Sequence, residues 1–178
     1  IGMVTQRMVV ERLFRKSFRK FLITGIVIHN KVGSFHLAGK LAAEAKRSHS
    51  AGIAIELCRL HNPVVTLCCG LINRKNLAVS GQNTLEMLDN INIDLAFIGV
   101  SGCSVDAGFT CGTEADMLVK RLAIRKAHTS VLMCGSDKFN SLMPYTFARL
   151  GDVDYVVTES DIPGAFLEAA QKANVKIL

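Results

Sequence analysis

The sequence contains no tryptophan and three prolines, and it has no long hydrophobic run. The runs Ile26–Ile28 and Val64–Cys69 each end within about eight residues, far short of the roughly 18–20 apolar residues that cross a membrane. The first residues also lack the charged-then-apolar pattern of a signal peptide. Because 49% of the 178 residues are hydrophobic, the chain can bury a core and is not disordered. We expect a soluble, cytoplasmic globular domain without a membrane partner.

The sequence also lacks the short motifs of several enzyme classes. It has no P-loop and no Gly-x-Gly-x-x-Gly fingerprint. In the segment Gly99–Gly102 the second glycine comes one position too early for the nucleophile elbow of serine hydrolases. The five histidines show no metal-ligand spacing with carboxylates or thiols. We therefore predict no catalytic residue, no cofactor and no metal.

Six cysteines are present, but none forms a Cys-x-x-Cys pair. Cys68 and Cys69 would point to opposite faces of a strand, which argues against a shared disulfide or metal site. Most of the cysteines lie in apolar runs, as reduced buried thiols do. This usage is typical of cytosolic proteins.

Positive charge is concentrated near the start of the chain. Residues 1–47 hold ten lysines and arginines against two glutamates, and the remaining residues hold eleven bases against thirteen acids. Apolar residues recur at helical spacing over residues 10–22 with basic residues between them, which predicts an amphipathic basic helix. Such a segment indicates an anionic partner near the N-terminus or an ordinary solvated helix face.

Strands and helices alternate along the rest of the chain. The pattern predicts strands at Ile26–His29, Val64–Cys68, Leu77–Ser80, Asp94–Gly99, Ser130–Cys134, Tyr155–Thr158 and Val175–Leu178. It predicts helices at Phe35–Lys46, Ala51–Leu60, Gln82–Leu88, Thr113–His128 and Pro163–Ala173, with a loop at Ser101–Gly112. This alternation predicts a Rossmann-like α/β fold, with a largely parallel sheet and helices on both faces.

Ligands of such sheets bind beyond the carboxyl ends of the strands. Small residues at three strand–helix junctions, Gly33–Ser34, Cys69–Gly70 and Ser80–Gly81, could offer backbone N–H groups to a phosphate or carboxylate. A small pair before a helix is also an ordinary cap, so each junction alone is a weak signal.

Acidic and basic side chains accompany these junctions. The candidates are Asp94, Asp106, Asp116, Lys120 and Lys138. Carboxylates would accept hydrogen bonds from sugar hydroxyls while lysines meet a phosphate. The alternative for Asp116 and Lys120, four residues apart, is a surface helix pair contributing a few tenths of a kcal/mol.

Several segments match one family in order and spacing. They are Asp94–Gly99, Asp106–Thr110, Asp116–Arg121, Lys138–Phe139 and Asp152–Thr158, preceded by His49–Leu57, Cys69–Gly70 and Gly81. Over residues 20–160 the chain resembles the C-terminal effector domain of DeoR-type bacterial transcription regulators.

The resemblance implies a fold similar to ribose-5-phosphate isomerase and the coenzyme A transferases. It implies the effector-sensing and oligomerisation domain of a regulator of carbohydrate metabolism, a repressor forming dimers or tetramers. Residues 25–178 would be this domain, and residues 1–24 a basic connecting helix to an N-terminal winged helix-turn-helix, absent from this chain, that reads operator DNA. A phosphorylated sugar would bind at Gly33, Ser34, Cys69, Gly70, Asp94, Asp106, Asp116, Lys120 and Lys138.

The chain departs from the family pattern at several of these positions. Val32–Ser34 replaces a Gly-Thr-Thr segment, Cys69 replaces a glycine, Asp116 replaces a glutamate and Gly135 replaces an aspartate. Residues 46–48 are about three residues too short for the strand that the family has there.

Two other functions remain open. An aldose–ketose isomerase on the same fold would need a carboxylate base, for which Asp116 or Asp106 could serve. The region Phe109–Glu114 lacks the glycine-rich loop of the isomerases it would resemble, which disfavours this alternative. Direct nucleic-acid binding by residues 7–20 would be weak and salt-sensitive. Phe14 and Phe18 lie on the apolar stripe of the helix, so they are expected to be core residues and not to stack on bases.

Overall fold

The computed structural model describes residues 26–29, 46–59, 64–159 and 161–178. The strands are β1 (Ile26–His29), β2 (Lys46–Ser48), β3 (Val65–Leu67), β4 (Leu71–Ile72), β5 (Val79–Ser80), β6 (Ile93–Gly99), β7 (Gly102–Ser104), β8 (Gly108–Cys111), β9 (Ala127–Met133), β10 (Tyr145–Ala148), β11 (Tyr155–Val157) and β12 (Lys176–Ile177). The α-helices within these ranges are α1 (Ala51–Leu57), α2 (Gln82–Asp89), α3 (Glu114–Lys126) and α4 (Gly164–Lys172). Short 3₁₀ turns cover Ser136–Lys138 and Leu150–Asp152.

Within the described residues, seven strands form the main sheet, in the order β12-β11-β9-β6-β1-β2-β3. Six of them run in the same direction, and β1 is antiparallel to both of its neighbours. In its register, Ile26 pairs with Ile98 and Val27 pairs with Ser48. A largely parallel sheet flanked by helices confirms the predicted α/β fold.

The core lies around the buried strand β6 and helix α3. Ala96, Ile98 and Val119 are fully or almost fully buried there. Phe109 packs between Phe147 and Phe166, with ring centroids 6.4 and 6.2 Å away. Aromatic pairs at such separations add about 0.5–1.5 kcal/mol each beyond the apolar area they bury. These rings tie the small sheet β10-β8-β7 to α4.

Helix α3 starts after its predicted first residue, Thr113, which is its N-cap. It ends at Lys126, two residues before the predicted end at His128, because strand β9 already begins at Ala127. The Thr113 side chain accepts a hydrogen bond from the backbone N–H of Asp116 at 3.2 Å, which satisfies one orphan donor of the first turn. Acidic residues occupy the first turn and basic residues the last turn, matching the helix dipole. The backbone turns extended at Ala127, and strand β9 follows directly.

Some local predictions were wrong. The predicted loop Ser101–Gly112 contains strands β7 and β8, and β4 and β10 were not predicted. Lys46 begins strand β2, so the predicted helix does not extend to it, and residues 46–48 do form a strand of three residues. The rest of that helix, the basic helix and Gly33–Ser34 lie outside the described residues.

Cysteine usage agrees with the prediction of buried thiols. All six cysteines are free, and four of them are buried. In the part of the chain that the structure describes, no helix is long and apolar enough to span a bilayer.

Gly108 begins β8 in a conformation that side chains rarely adopt. Its φ is +75°, and an added Cβ would collide with the carbonyl oxygen of Ala148 and lie 3.1 Å from the Cα of Arg149. We expect Gly108→Ala to lower the free energy of unfolding by at least about 2 kcal/mol, because both strain and backbone overlap are introduced. Urea unfolding would measure this.

Gly164→Ala is the matched control, since an added Cβ there meets nothing within 4 Å. That variant should stay within about 0.5 kcal/mol of the wild type. Equal losses for the two variants would contradict the assignment of strain to Gly108.

Candidate functional site

The carboxyl ends of β2, β3, β6 and β9 lie along one edge of the main sheet, because these strands run in the same direction. His49 follows β2, Cys68 follows β3 and Val100 follows β6. Helix α1 also begins here, with Ser50 as its N-cap. Open α/β sheets bind ligands beyond this edge, so we refer to it as the carboxyl edge.

A buried ionic cluster of His49, Asp116 and Lys120 lies at the carboxyl edge. The Nε2 atom of His49 is 3.4 Å from Oδ1 of Asp116, and Nζ of Lys120 is 2.9 Å from Oδ2. The three residues are 1%, 5% and 0% exposed. One carboxylate therefore joins two basic groups, with one of its oxygens facing each.

Helix α3 places two members of this cluster. Asp116 and Lys120 are four residues apart on α3, which puts them on the same face of the helix. Nζ of Lys120 also lies 5.0 Å from the ring centroid of Phe147 on β10, within cation–π range. The predicted pair of Asp116 and Lys120 is thus present. It is buried, so it is not the exposed helix pair that was the alternative interpretation.

The turn after β2 fixes the third member. The Ser48 hydroxyl donates to the carbonyl oxygen of Ser50 at 3.2 Å and accepts from the Ser50 N–H at 3.1 Å. The carbonyl oxygen of His49 accepts a hydrogen bond from the Val79 N–H at 2.6 Å. With its backbone held on both sides, His49 presents its imidazole to α3.

Asp116 remains an anion because of its two partners. Burial alone would raise the pKa of Asp116, but the hydrogen bond from His49 and the nearby Lys120 ammonium outweigh burial and hold that pKa below its ordinary value of 3.8. Burial raises the pKa of the neighbouring Cys111 thiol, which therefore stays protonated at neutral pH. The cluster thus carries one fixed negative charge opposite Lys120.

Cys69 and Gly70 lie beyond the end of β3, as predicted. Gly70 has a φ of +147°, and an added Cβ would meet the Thr84 hydroxyl oxygen and lie 2.5 Å from the Ser80 carbonyl oxygen. Thr84 on α2 donates a hydrogen bond to the Cys69 carbonyl oxygen at 2.6 Å. Gly70 therefore lets this loop approach the β4–β5 hairpin and α2 closely, and the Cys69 side chain is exposed.

The other predicted residues are distributed around the fold. Lys138 follows β9 in a 3₁₀ turn, where its Nζ lies 2.6 Å from Oδ2 of Asp137. Asp106 is exposed in the turn between β7 and β8, and its carbonyl oxygen accepts from Arg149. Asp94 is exposed near the amino end of β6, five residues before Gly99. The structure does not bring Asp94 to the carboxyl edge.

His49 was not among the predicted site residues. Its neighbourhood carried a usable signal, since Ser48–Ser50 combines two hydroxyls and an imidazole just before a helix. The sequence predicts residues 46–48 to be too short for a strand, yet they form β2, and His49 follows it directly. In the described ranges, no group of three or more His, Cys, Asp and Glu side chains could hold a metal ion.

The structure is an α/β domain with a largely parallel sheet and buried charges at its carboxyl edge, an arrangement typical of ligand-binding domains. Comparison with known families identifies the family of the domain: the model of the DeoR C-terminal sensor domain matches residues 34–160. The chain belongs to this family, as the resemblance implied.

Individual relatives carry names of the same kind. The transcriptional regulator GlpR of Haloferax volcanii is 28% identical over 131 residues, which cover 74% of this chain and 51% of the relative. The transcriptional repressor GlcR of Bacillus subtilis is 28% identical over 64% of this chain and 44% of its own length. The deoxyribose operon repressor of Escherichia coli is 29% identical over 63% and 44%. The chain spans about half the length of these relatives.

Removing one partner of the buried pair should destabilise the protein. Asp116→Ala leaves the Lys120 ammonium buried without its carboxylate, and we expect a loss of about 3–5 kcal/mol of unfolding free energy. The double variant Asp116→Asn/Lys120→Met carries no uncompensated charge and should recover most of this loss. Urea unfolding at pH 7 would compare the variants.

The exposed pair of Glu56 and Arg59, whose charged atoms are 2.6 Å apart, provides the control. Glu56→Ala should change stability by less than about 1 kcal/mol. A comparably small effect of Asp116→Ala would show that the buried pair is not held as the geometry indicates.

Acid should weaken the folded state through Asp116. Because its pKa is lowered on folding, the carboxylate contributes stability above the ordinary value of 3.8, and this contribution is lost as pH falls through the folded pKa. Below about pH 4 the unfolding free energy of the wild type should therefore fall more steeply than that of Asp116→Asn/Lys120→Met. Parallel pH profiles from urea unfolding would contradict this.

Proposed function

We propose that this domain senses a phosphorylated sugar and belongs to a repressor of carbohydrate metabolism. The single observation that carries the proposal is the buried ionic cluster at the carboxyl edge. Burying charged groups is costly, and such groups with perturbed pKa values concentrate at functional sites. Family membership supports a regulatory role, and one relative is named for a deoxyribose operon.

The chemistry of the edge matches a phosphosugar. Asp116 can accept a hydrogen bond from a sugar hydroxyl, and Lys138 supplies a cation for a phosphate. Lys120 is fully buried, so it would act by holding Asp116 in place through its 2.9 Å contact with Oδ2. Cys69 and Gly70 add a closely packed backbone loop at the same edge. We keep Gly33, Ser34 and Asp106 as proposed contacts and leave Asp94 out, because it lies near the opposite end of β6.

Regulation would follow from linkage between two arrangements of the protein. We propose that residues 25–178 form the sensor and oligomerise as dimers or tetramers. Residues 1–24 would connect it to an N-terminal helix-turn-helix on operator DNA in the cytoplasm. An effector that binds one arrangement better by roughly 1–3 kcal/mol changes operator affinity 5–150-fold. Two-fold symmetry would suit palindromic operators.

The isomerase alternative gains no support from the geometry. The base of an isomerase must take a proton near neutral pH, and it works best when its pKa lies near that pH. The pKa of Asp116 is instead held below its ordinary value. The relatives described above are named as transcriptional regulators and repressors.

Thermal unfolding against a panel of hexose and pentose phosphates, with the free sugars as controls, tests the sensor. A ligand at a hundred times its Kd adds about 2.7 kcal/mol, a rise in Tm of several degrees for a chain of this size. We expect one or more phosphosugars to raise Tm and the free sugars to leave it unchanged.

Two lysine variants localise the effect. Lys138→Ala should reduce the shift, because it removes a cation that follows β9 at the carboxyl edge. Lys172→Ala, at the exposed last turn of α4, should leave the shift unchanged. No shift with any phosphosugar at millimolar concentration would overturn the proposed ligand class.

A further inference from the structure

Arg47 on β2 carries a buried nitrogen that has no partner. Its Nη1 atom is shielded from solvent, and no group among the described residues accepts a hydrogen bond from it. In the same ranges no carboxylate lies within salt-bridge distance of the Arg47 guanidinium. Arginine stays protonated in proteins, so a charged donor is partly removed from water here and nothing offsets its lost hydration.

Arg47 differs in this respect from the other buried cation of the site. Nζ of Lys120 also lacks a well-aligned hydrogen bond, but Oδ2 of Asp116 is 2.9 Å away and balances its charge. Oδ1 of the same carboxylate faces Nε2 of His49 at 3.4 Å. Both oxygens of Asp116 thus face groups other than Arg47, and within the part of the chain that the structure describes, the buried end of Arg47 lacks an anion.

The fold places the Arg47 guanidinium at the carboxyl edge. Arg47 lies one residue, about 3.3 Å, before the end of β2. It pairs with Thr66 of β3, and because side chains alternate along a strand, Cys68 lies on the same face. Burial raises the pKa of the Cys68 thiol to about 11, and the guanidinium is close enough to act against this rise. Arg47 therefore lies near the start of the Cys69–Gly70 loop.

We propose that Arg47 binds the phosphate group of the effector beside the Cys69–Gly70 loop. This inference rests on the proposed function, since it names a phosphate-binding residue of the same site. A guanidinium presents its N–H donors as a planar fork that matches two oxygens of a phosphate. A bound phosphate supplies both the missing negative charge and an acceptor for Nη1. Arg47 is only half-buried as a whole, so its side chain is not closed off from a ligand.

This role predicts opposite effects of one substitution on stability and on binding. An arginine that stabilises the fold lowers the Tm of the empty domain when it is removed. Arg47→Met instead keeps an aliphatic chain of similar length and removes an uncompensated charge. We expect the Tm of the empty variant to equal or exceed that of the wild type. Its affinity for a phosphosugar should fall at least about tenfold, because a charge-assisted hydrogen bond is lost.

Thermal unfolding and isothermal titration calorimetry on the whole chain test this. The probes are inorganic phosphate and the same hexose and pentose phosphates, with the free sugars as controls. Arg47→Lys keeps the charge without the planar fork, so its affinity should lie between those of the wild type and Arg47→Met. Arg59→Met is the matched control, since the Arg59 side chain is 68% exposed and pairs with Glu56. It should bind as the wild type does.

Weaker phosphosugar binding by Arg47→Met, with an undiminished Tm of the empty variant and normal binding by Arg59→Met, would support the proposal. Equal affinities of the wild type and Arg47→Met would overturn the role of Arg47 and leave the sensor intact. Binding of inorganic phosphate alone would show that the ligand is the free anion and overturn the phosphosugar. Binding of no probe to the wild type would overturn the sensor and this inference with it.

A second measurement needs no variant to fold, and it decides the case in which Arg47→Met loses both stability and affinity. The NMR signals of the Arg47 guanidinium N–H groups in the wild type should shift when the binding phosphosugar is added, and their exchange with solvent should slow. Unchanged Arg47 signals at saturating phosphosugar would contradict a contact between Arg47 and the phosphate.

Discussion

The Asp116 carboxylate is the constraint on which the rest of the site depends. A carboxylate this deeply buried persists as an anion only where cations and hydrogen-bond donors replace its lost hydration. Lys120 comes from the same helix as Asp116, but His49 comes from the end of β2. The contact between His49 and Asp116 therefore joins α3 to strand β2 of the main sheet. The capping bond from Thr113 and the turn around Ser48 both position groups for this one contact.

The residues of the ionic cluster therefore also contribute to the packing of the fold. The face of α3 that carries Asp116 and Lys120 also packs on β10 through Phe147. Phe147 in turn contacts Phe109, which reaches α4 through Phe166. A ligand bound at Asp116, as proposed, would thus contact residues that connect the main sheet to the small sheet, which suits a sensor that responds by a change of arrangement.

Pattern and propensity were sufficient for the long elements and insufficient for the short ones. Strand β6 and helix α3 have clear periodicities and caps, and the structure confirms both. Strands β7 and β8 are short and contain Gly102 and Gly108, which are poor strand formers, so the segment was predicted as a loop. The contact between His49 and Asp116 spans 67 residues of sequence. No local spacing encodes such a contact, because it depends on how β2 and α3 meet in space.

Strand β1 is the reversed strand of the main sheet, and this reversal determines where the chain enters it. Ile26 lies opposite Ile98, near the carboxyl end of β6, and Val27 lies opposite Ser48, next to His49. The residues before Ile26 are therefore joined to the sheet at the same edge as the ionic cluster. An effector bound at this edge would therefore lie at the side of the sheet where that part of the chain enters, and its effect would need no relay through the body of the domain.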